Sequence, residues 1–261
     1  MIRAIPLALL AGVMIGLTTT AAAHSPYLLP NVFDVGERKY VTVEASFTET
    51  FFVPDVAMKA DDYHVVSPDG TKHAVAPVYT QDLTILEVPT TARGTYRIST
   101  GERRGRISKA TFTNGDWEFI EPGKAAPAGA KVYDVQSITM SDVFVSRGAP
   151  DEKALTPRNT GLEFKPVTHP NKLFAGKNAQ FEVLFGGQPL ANQSIDVHFG
   201  DERYSEKKLY AQTKTDAAGR FSVKLDRPGV YLAMTRHRMM PAAEGQPATS
   251  HTYSVTFEAT D

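Results

Sequence analysis

Apolar and polar residues alternate along most of this chain beyond residue 37, which is typical of strands that bury one face. Between residues 40 and 47, Val41, Val43 and Ala45 fall on one face, while Thr42 and Glu44 fall on the other. No stretch longer than two turns keeps the period of an amphipathic helix. The pattern therefore predicts an all-β chain of short strands.

Turn-forming residues separate these strands at regular spacing, as they do in β-sandwiches. Pro68-Asp69-Gly70 predicts a turn because its residues adopt turn dihedral angles readily, and Gly186-Gly187 predicts a hairpin. The other strands are predicted at Tyr63–Ser67, Asp82–Val88, Thr95–Ser99, Val132–Ser146, Gln180–Phe185, Ser194–Phe199, Arg220–Leu225, Val230–Thr235 and Tyr253–Glu258.

Two segments of the chain share one local pattern. Residues 87–99 and 224–234 each end a strand, turn through a glycine and restart just before a tyrosine. This pattern indicates the tyrosine corner of immunoglobulin-like sandwiches, with Tyr96 and Tyr231 in matching roles. The alternative is chance recurrence of Gly-x-Tyr among 19 glycines and 10 tyrosines. We favour two immunoglobulin-like or prealbumin-like sandwiches.

Turn-rich connections at residues 121–131 and 147–158 indicate the division between the two sandwiches. We predict an N-terminal sandwich over residues 24–155 and a C-terminal sandwich over residues 156–261. The strand at Val132–Ser146 is predicted to complete the first domain, because it lies before the second connection.

The first 23 residues have the features of a secretion signal. Arg3 precedes a short apolar run, and Ala21 and Ala23 occupy the positions that a signal peptidase reads. We therefore predict cleavage after Ala23 and a periplasmic mature protein. The apolar run is shorter than the ~20 residues of a membrane-spanning helix, so an uncleaved anchor is the lesser alternative. The mature chain is not expected to span a membrane.

Composition narrows the classes of function. The chain has 28 Lys+Arg and 29 Asp+Glu, so charge gives no case for binding nucleic acid. It has 0 cysteines, which excludes disulfides and thiolate metal sites. It also lacks the G-x-S-x-G, H-E-x-x-H and phosphate-loop motifs, and we predict that it is not an enzyme.

Cleavage after Ala23 would make His24 the N-terminal residue, which offers an amine and an imidazole as adjacent nitrogen ligands. Such a pair suits Ni(II) or Cu(II), with a further side chain completing the site. Pro26 and Pro30 indicate that this segment is fixed into the first sandwich. The plain alternative is an ordinary polar terminus without a ligand.

Three other histidines are candidate ligands. His64 follows two aspartates, which can orient its ring, although a lone strand histidine is more often a surface residue. His237 lies among methionines whose thioethers favour Cu(I), although Arg236 and Arg238 oppose a cation there. His251 would face His237 if the last two strands pair as a hairpin. His169 is predicted to be structural, and His73 and His198 to lie on the surface.

Four segments carry a resemblance to a known family: HSPYLLP at 24–30, FFVPD at 51–55, GLEFKPVTHPNKLFAGK at 161–177 and TDAAGRFSVKLDRPGVYL at 215–232. Together they resemble the bacterial domain-of-unknown-function family 4198, whose exported members include NikK-type proteins associated with nickel and cobalt uptake. The DAAGRF turn also resembles carboxypeptidase-regulatory-like and Cna-B-like sandwiches. The resemblance implies an exported two-part β protein that binds a divalent transition metal, with His24 and Asp55 as the residues carried over.

We therefore predict a periplasmic metal-binding or metal-delivery accessory for Ni, Co or Cu. Its expected partner is a membrane metal transporter or an outer-membrane receptor. The candidate metal ligands are His24, Asp55, His64, His237 and His251. The alternative is a non-enzymatic envelope module that binds a receptor, another protein or a glycan without metal.

Overall fold

The computed structural model describes residues 24–261. The predicted signal peptide, its cleavage after Ala23 and the resulting free amine lie outside the described residues. The strands are β1 (Ser25–Pro30), β2 (Tyr40–Thr48), β3 (Val56–Ala57), β4 (His64–Val66), β5 (Lys72–Ala74), β6 (Pro77–Tyr79), β7 (Thr84–Pro89), β8 (Gly94–Ser99), β9 (Arg103–Thr113), β10 (Asp116–Phe119), β11 (Val132–Arg147), β12 (Leu162–Pro166), β13 (Asn178–Phe185), β14 (Gln188–Pro189), β15 (Ser194–Phe199), β16 (Ala211–Lys214), β17 (Arg220–Lys224), β18 (Gly229–Met239) and β19 (Ala248–Ala259). Two short 3₁₀ turns lie at Lys153–Leu155 and Glu202–Tyr204.

One large sheet, which we call the shared sheet, runs through both halves of the chain in the order β16-β15-β18-β19-β11-β8-β4-β5, with β9 and β10 attached through β11. A first small sheet has the order β1-β2-β7-β6, with β3 on β2. A second small sheet contains β12, β13, β14 and β17. The fold is all-β, with two immunoglobulin-like sandwiches that use the shared sheet as a common layer.

The two small sheets pack on opposite faces of the shared sheet, as the alternation along β11 shows. Val143 and Val145 enter a core with residues of the first small sheet, such as Val43. Met140 and Phe144 enter a different core with residues of the second small sheet. Successive strand residues point to opposite faces, so one strand supplies both cores. We call the face that packs against the first small sheet the first-half face, and the face that packs against the second small sheet the second-half face.

The position of β11 differs from the sequence prediction. It was expected to complete the first sandwich, yet it lies between β8 and β19 and contributes to both cores. The reason is its parallel pairing with β19, which links positions more than a hundred residues apart, such as Val135 and Ala248. The proposed boundary between residues 155 and 156 stays a prediction.

The predicted tyrosine corners are present in both halves. The Tyr96 hydroxyl donates to the Ala92 carbonyl at 2.7 Å, and the Tyr231 hydroxyl donates to the Arg227 carbonyl at 2.6 Å. Each hydroxyl reaches four residues back along the chain and ties a strand to its preceding loop. The chance interpretation of the repeated Gly-x-Tyr pattern is therefore wrong.

Most predicted strands are confirmed, and Ser194–Phe199 matches β15 to the residue. The last two strands are longer than predicted, because their ladder continues from Gly229↔Ala259 to Met239↔Thr249. His237 and His251, which lie outside the predicted strand ranges, are therefore part of a regular strand pair. Within residues 24–261, no helix has the length and apolar character needed to cross a membrane.

His169 has the structural role that the sequence predicted. Its Nε2 lies 3.1 Å from Thr95 Oγ1 and 2.9 Å from the Asp151 carbonyl oxygen. Its Nδ1 accepts a hydrogen bond from the Asn171 amide at 3.1 Å. Burial lowers the pKa of His169, so a neutral ring joins the second half to β8.

Candidate metal centre

His237 on β18 and His251 on β19 are directly opposite each other in the antiparallel ladder. Directly opposed residues on one face have their Cβ atoms about 4.5–5.5 Å apart, so two imidazoles at such positions can reach one ion. Both rings also pack on Phe185 of β13, with centroid distances of 4.8 Å and 5.0 Å. The predicted facing of these two histidines is confirmed.

The orientation of His237 is fixed by Gln193. The Gln193 side-chain amide donates to Thr235 Oγ1 and to the Arg236 carbonyl, both at 2.8 Å. Its Oε1 is therefore the acceptor that lies 3.3 Å from His237 Nδ1. This network assigns the proton to Nδ1 and leaves the Nε2 lone pair of His237 available.

Electrostatics favour neutral rings at this pair. Burial lowers the pKa of His237, and the positive charge of Arg238 lowers it further. Burial also lowers the pKa of His251; Glu102 opposes that shift, whereas His237 and Arg104 add to it. Neutral imidazole is the form that binds a metal ion.

The arginines beside His237 lie on the other face of the strand. Arg236 donates to Ser25 Oγ at 2.9 Å, which places it on the first-half face. Arg238 is ion-paired with Asp116. The repulsion expected from these residues is reduced, because both charges lie on the opposite face from His237 and Arg238 also has an acidic partner.

The methionines near His237 are divided between the two faces of β18. Met234 is buried on the first-half face against Tyr27 and Phe51. Met239 and Met240 are exposed at the end of the strand. Met140 of β11 was not among the predicted residues, yet it lines a narrow pocket together with His251 and Glu102.

His24 lies at the start of β1 on the first-half side of the shared sheet. Its Nε2 is 3.9 Å from Glu49 Oε1, and both side chains are exposed. β1 is paired with β2, with Ser25 opposite Thr48, so the predicted fixing of this segment into the first sandwich is confirmed. Glu49 is a neighbour that the sequence analysis missed, because only the strand register brings it beside His24.

Asp55 lies next to this edge and stabilises a turn. Its Oδ2 accepts a hydrogen bond from the Glu49 amide at 2.7 Å, and its own amide donates to the Phe47 carbonyl at 3.1 Å. His24 and Asp55 thus both adjoin Glu49. No group of three or more His, Asp or Glu side chains within the described part of the chain is arranged to hold a metal ion.

His64 is buried on β4, several strands away from the His237–His251 pair. Its Nδ1 lies 2.7 Å from the Asp62 carbonyl oxygen and 3.4 Å from the Asp62 carboxylate. Burial lowers its pKa, against the opposing effect of Asp62. Three strand spacings separate β4 from β19, about 14 Å at ~4.8 Å each, so His64 and His251 belong to different sites.

His198 was predicted to be a surface residue, and that prediction is wrong. It is buried, its Nδ1 lies 2.9 Å from Glu202 Oε2, and its ring contacts Phe51 at a centroid distance of 4.5 Å. Its Nε2 is buried without a hydrogen-bond partner among the described residues. The missed signal was a glutamate four positions later, at a turn that directly follows the strand.

The predicted candidates therefore separate into three places. The shared sheet divides His24 and Asp55 on one face from His237 and His251 on the other, and His64 lies several strands away. Of the predicted residues, only His237 and His251 face each other within one ladder. This pair is the best-organised candidate for binding a metal ion.

The family model described as Domain of unknown function (DUF4198) matches residues 21–239 of this chain. A search of the curated proteins finds no match to this chain. The family match assigns no activity to the chain.

Several solved structures are similar over much of the chain. The D0-D1 domain of intimin has 12% identity and a TM-score of 0.22, with 88% of this chain and 96% of that chain covered. Trypsin-activated α-2-macroglobulin from Escherichia coli has 11% identity and a TM-score of 0.23, with 90% and 16% covered. The Yersinia pseudotuberculosis adhesin InvE has 13% identity and a TM-score of 0.21, with 89% and 58% covered. We base the architecture on the strand order and cores of this chain itself.

Proposed function

The chain belongs to the DUF4198 family, and we propose that it is an exported transition-metal-binding or metal-delivery accessory. The observation that carries this proposal is the direct pairing of His237 and His251 in one ladder. Imidazole nitrogen suits Ni(II), Co(II) and Cu(II), and strand pairing places both rings before an ion arrives. The sequence alone had made His24 the anchor of such a site.

A site with two protein ligands is suited to transfer of its ion. Two imidazoles leave coordination positions open for water, or for ligands that a receiving protein supplies. Gln193 fixes the His237 ring, as hydrogen-bonded neighbours of metal-binding histidines commonly do. Delivery to a membrane uptake partner is therefore the role that we assign to this pair.

The test is metal titration of the purified protein against a competing chromophoric chelator, with Ni(II), Co(II) and Cu(II) in separate series. His237→Ala and His251→Ala should each weaken binding by at least about tenfold, since loss of a neighbour that merely orients a ligand costs about 10–100-fold. His73→Ala is the matched control, because His73 is an exposed strand histidine on β5. It should bind as the wild type does.

A second arm separates the pair from His24. One extra residue before His24 removes the amine from the chelate that the sequence predicted, and we expect unchanged affinity. Loss of binding in that protein, with wild-type affinity in the His237→Ala and His251→Ala variants, would assign the site to His24. Urea unfolding midpoints confirm that each variant is folded.

A non-enzymatic interaction module remains the second candidate, and one observation favours it. β6 is an edge strand of the first small sheet, and Val78 there is 65% exposed, beside the exposed Tyr79. Exposed apolar residues on an edge strand are typical of protein contact surfaces. If the wild-type protein binds none of the three metals, this second function is the one supported.

A further inference from the structure

A cleft of about 670 Å³ lies on the second-half face of the shared sheet, beside the narrow pocket of His251, with which it shares Glu102 and Met140. Its walls are the β4–β5 hairpin, β8 and the connection that follows the 3₁₀ turn at Lys153–Leu155. The 3₁₀ turn contacts β8 on this part of the face. Small-molecule sites of about 300–1,000 Å³ are common at such junctions.

Arg97 of β8 lines this cleft and is only 8% exposed. Its Nη1 donates to the Thr156 carbonyl at 2.9 Å, which is the only side-chain hydrogen bond of this guanidinium within residues 24–261. Its Nε is buried without a partner. A buried cation with unsatisfied donors is costly, and an anion would offset that cost.

The nearest acidic groups are already committed to other partners. Asp142 accepts from Arg158 Nη2 and from the Tyr253 hydroxyl, both at 2.6 Å. Glu163 accepts from the Arg158 and Asn159 amides at 2.9 Å and 2.7 Å. No carboxylate oxygen of the described residues lies within 4.0 Å of the Arg97 guanidinium, so its charge has no direct partner.

The other acidic residues on the cleft walls also have partners within the protein. Asp62 is ion-paired with Lys72 at 2.8 Å, and Glu102 with Arg104 at 2.7 Å. Asp69 accepts a hydrogen bond from the Thr71 amide within its own turn. Lys153 also lines the cleft and makes no ion pair within 4.0 Å among the described residues. Arg97 and Lys153 are thus the two cations available to a ligand.

We propose that this cleft binds a small organic carboxylate, with Arg97 as its anchor and Lys153 as its second cation. The flat fork of an arginine matches the two oxygens of a carboxylate. A dicarboxylate divides its two negative charges between two groups, whereas a phosphate dianion concentrates them on one group, which Asp62, Asp69 and Glu102 on the walls would repel more strongly. Neither histidine of the proposed metal pair lines this cleft, although the cleft adjoins the pocket of His251 at Glu102 and Met140.

The test uses succinate as the probe and inorganic phosphate as the competing anion, with binding followed by isothermal titration and by thermal unfolding. Wild-type protein should bind succinate saturably. Arg97→Lys keeps the charge but removes the fork, and should weaken binding about tenfold or more. Lys153→Ala should weaken it about threefold to tenfold. Lys214→Ala, an exposed lysine on β16, is the matched control and should have no effect.

Three results would overturn the proposal. The first is unchanged succinate affinity in Lys153→Ala, which decides the matter even if Arg97→Lys fails to fold. The second is saturable binding of phosphate without any binding of succinate, which would show that the cleft is specific for a different anion. The third is a non-saturating response to both anions that is equal in all variants, which would show a general salt effect only.

Discussion

The two faces of the β18–β19 strand pair differ in chemistry, although alternate residues of the same two strands form them. On the second-half face, Tyr231, Tyr253 and Phe257 enter an aromatic core, and the histidine pair lies near the end of the ladder. On the first-half face, Ser254 and Thr256 are buried hydroxyl residues that lie under β1 and its neighbours. One strand pair therefore serves two different interiors.

This difference explains how the candidate metal ligands are distributed. Adjacent positions on a strand are separated by the thickness of the sheet, so Arg236 contacts Ser25 while His237 contacts Phe185. Residues that are close in sequence thus fall into separate sites, and residues far apart in sequence meet through strand register. Register, rather than local composition, decides which histidines can act together.

The largest loss of stability is expected in the aromatic core on the second-half face. Phe181 is fully buried and stacks on Phe221 with a centroid distance of 5.4 Å. Phe181→Ala should lower the free energy of unfolding by about 3–5 kcal/mol, because it removes buried contacts and leaves a cavity. Urea unfolding measures this loss, and Phe119→Ala is the control, because Phe119 is an exposed residue of β10. A loss below about 1 kcal/mol would contradict the assigned core.

The second effect depends on pH and tests the charged contact on the same face. Burial alone would raise the pKa of Asp142, yet the charge and hydrogen bond of Arg158, with Arg97, lower it to about 2. Because the folded pKa lies below the unfolded value of about 3.9, this carboxylate contributes roughly 2–3 kcal/mol above pH 4. That contribution is lost as the pH falls from about 4 to about 2.

Urea unfolding between pH 2 and pH 6 measures this acid-dependent loss. Asp142→Asn should be less stable than the wild type at pH 6 and should lose less stability on acidification below pH 4. Asp134→Asn is the control, since Asp134 forms an exposed ion pair with Lys109. Equal acid dependence in the wild type and in Asp142→Asn would contradict the low pKa.

The smallest effect is expected on the first-half face, where the polar contact is uncharged. Ser254 donates to the Pro26 carbonyl at 2.7 Å and lies 2.7 Å from Ser141 Oγ. Ser254→Ala should cost about 1–2 kcal/mol and should increase amide hydrogen exchange along β1. Ser222→Ala, an exposed serine of β17, is the control. Unchanged exchange in β1 would show that Ser254 does not attach that strand.

Local sequence patterns were sufficient for the strands and turns. Alternation located β2 and β15, and the Gly-x-Tyr spacing located both tyrosine corners, since each depends on neighbours within a few residues. The pairing of His237 with His251 was also predictable, because a hairpin of adjacent strands brings them together. These features all arise from short separations along the chain.

The features that were missed depend on contacts between distant segments. The common sheet requires the parallel pairing of β11 with β19, for which neither strand carries a local signal. The position of Glu49 beside His24 follows from the register of β1 on β2. The position of Arg97 in a cleft depends on the connection at Thr156, whose carbonyl accepts a hydrogen bond from its guanidinium. His198 was misassigned because its ring is buried against Phe51, which lies in a distant segment of the chain.

The parallel pairing of β11 with β19 also has a consequence for how the chain reaches its native state. Ser141 and Ser254 are in contact although they are 113 positions apart. Contacts of such long sequence separation slow folding, because a large loop must close before they form. Until β19 takes its place between β11 and β18, both faces of the central layer lack a strand. We therefore expect the two halves to acquire their final stability together, in a late and cooperative step.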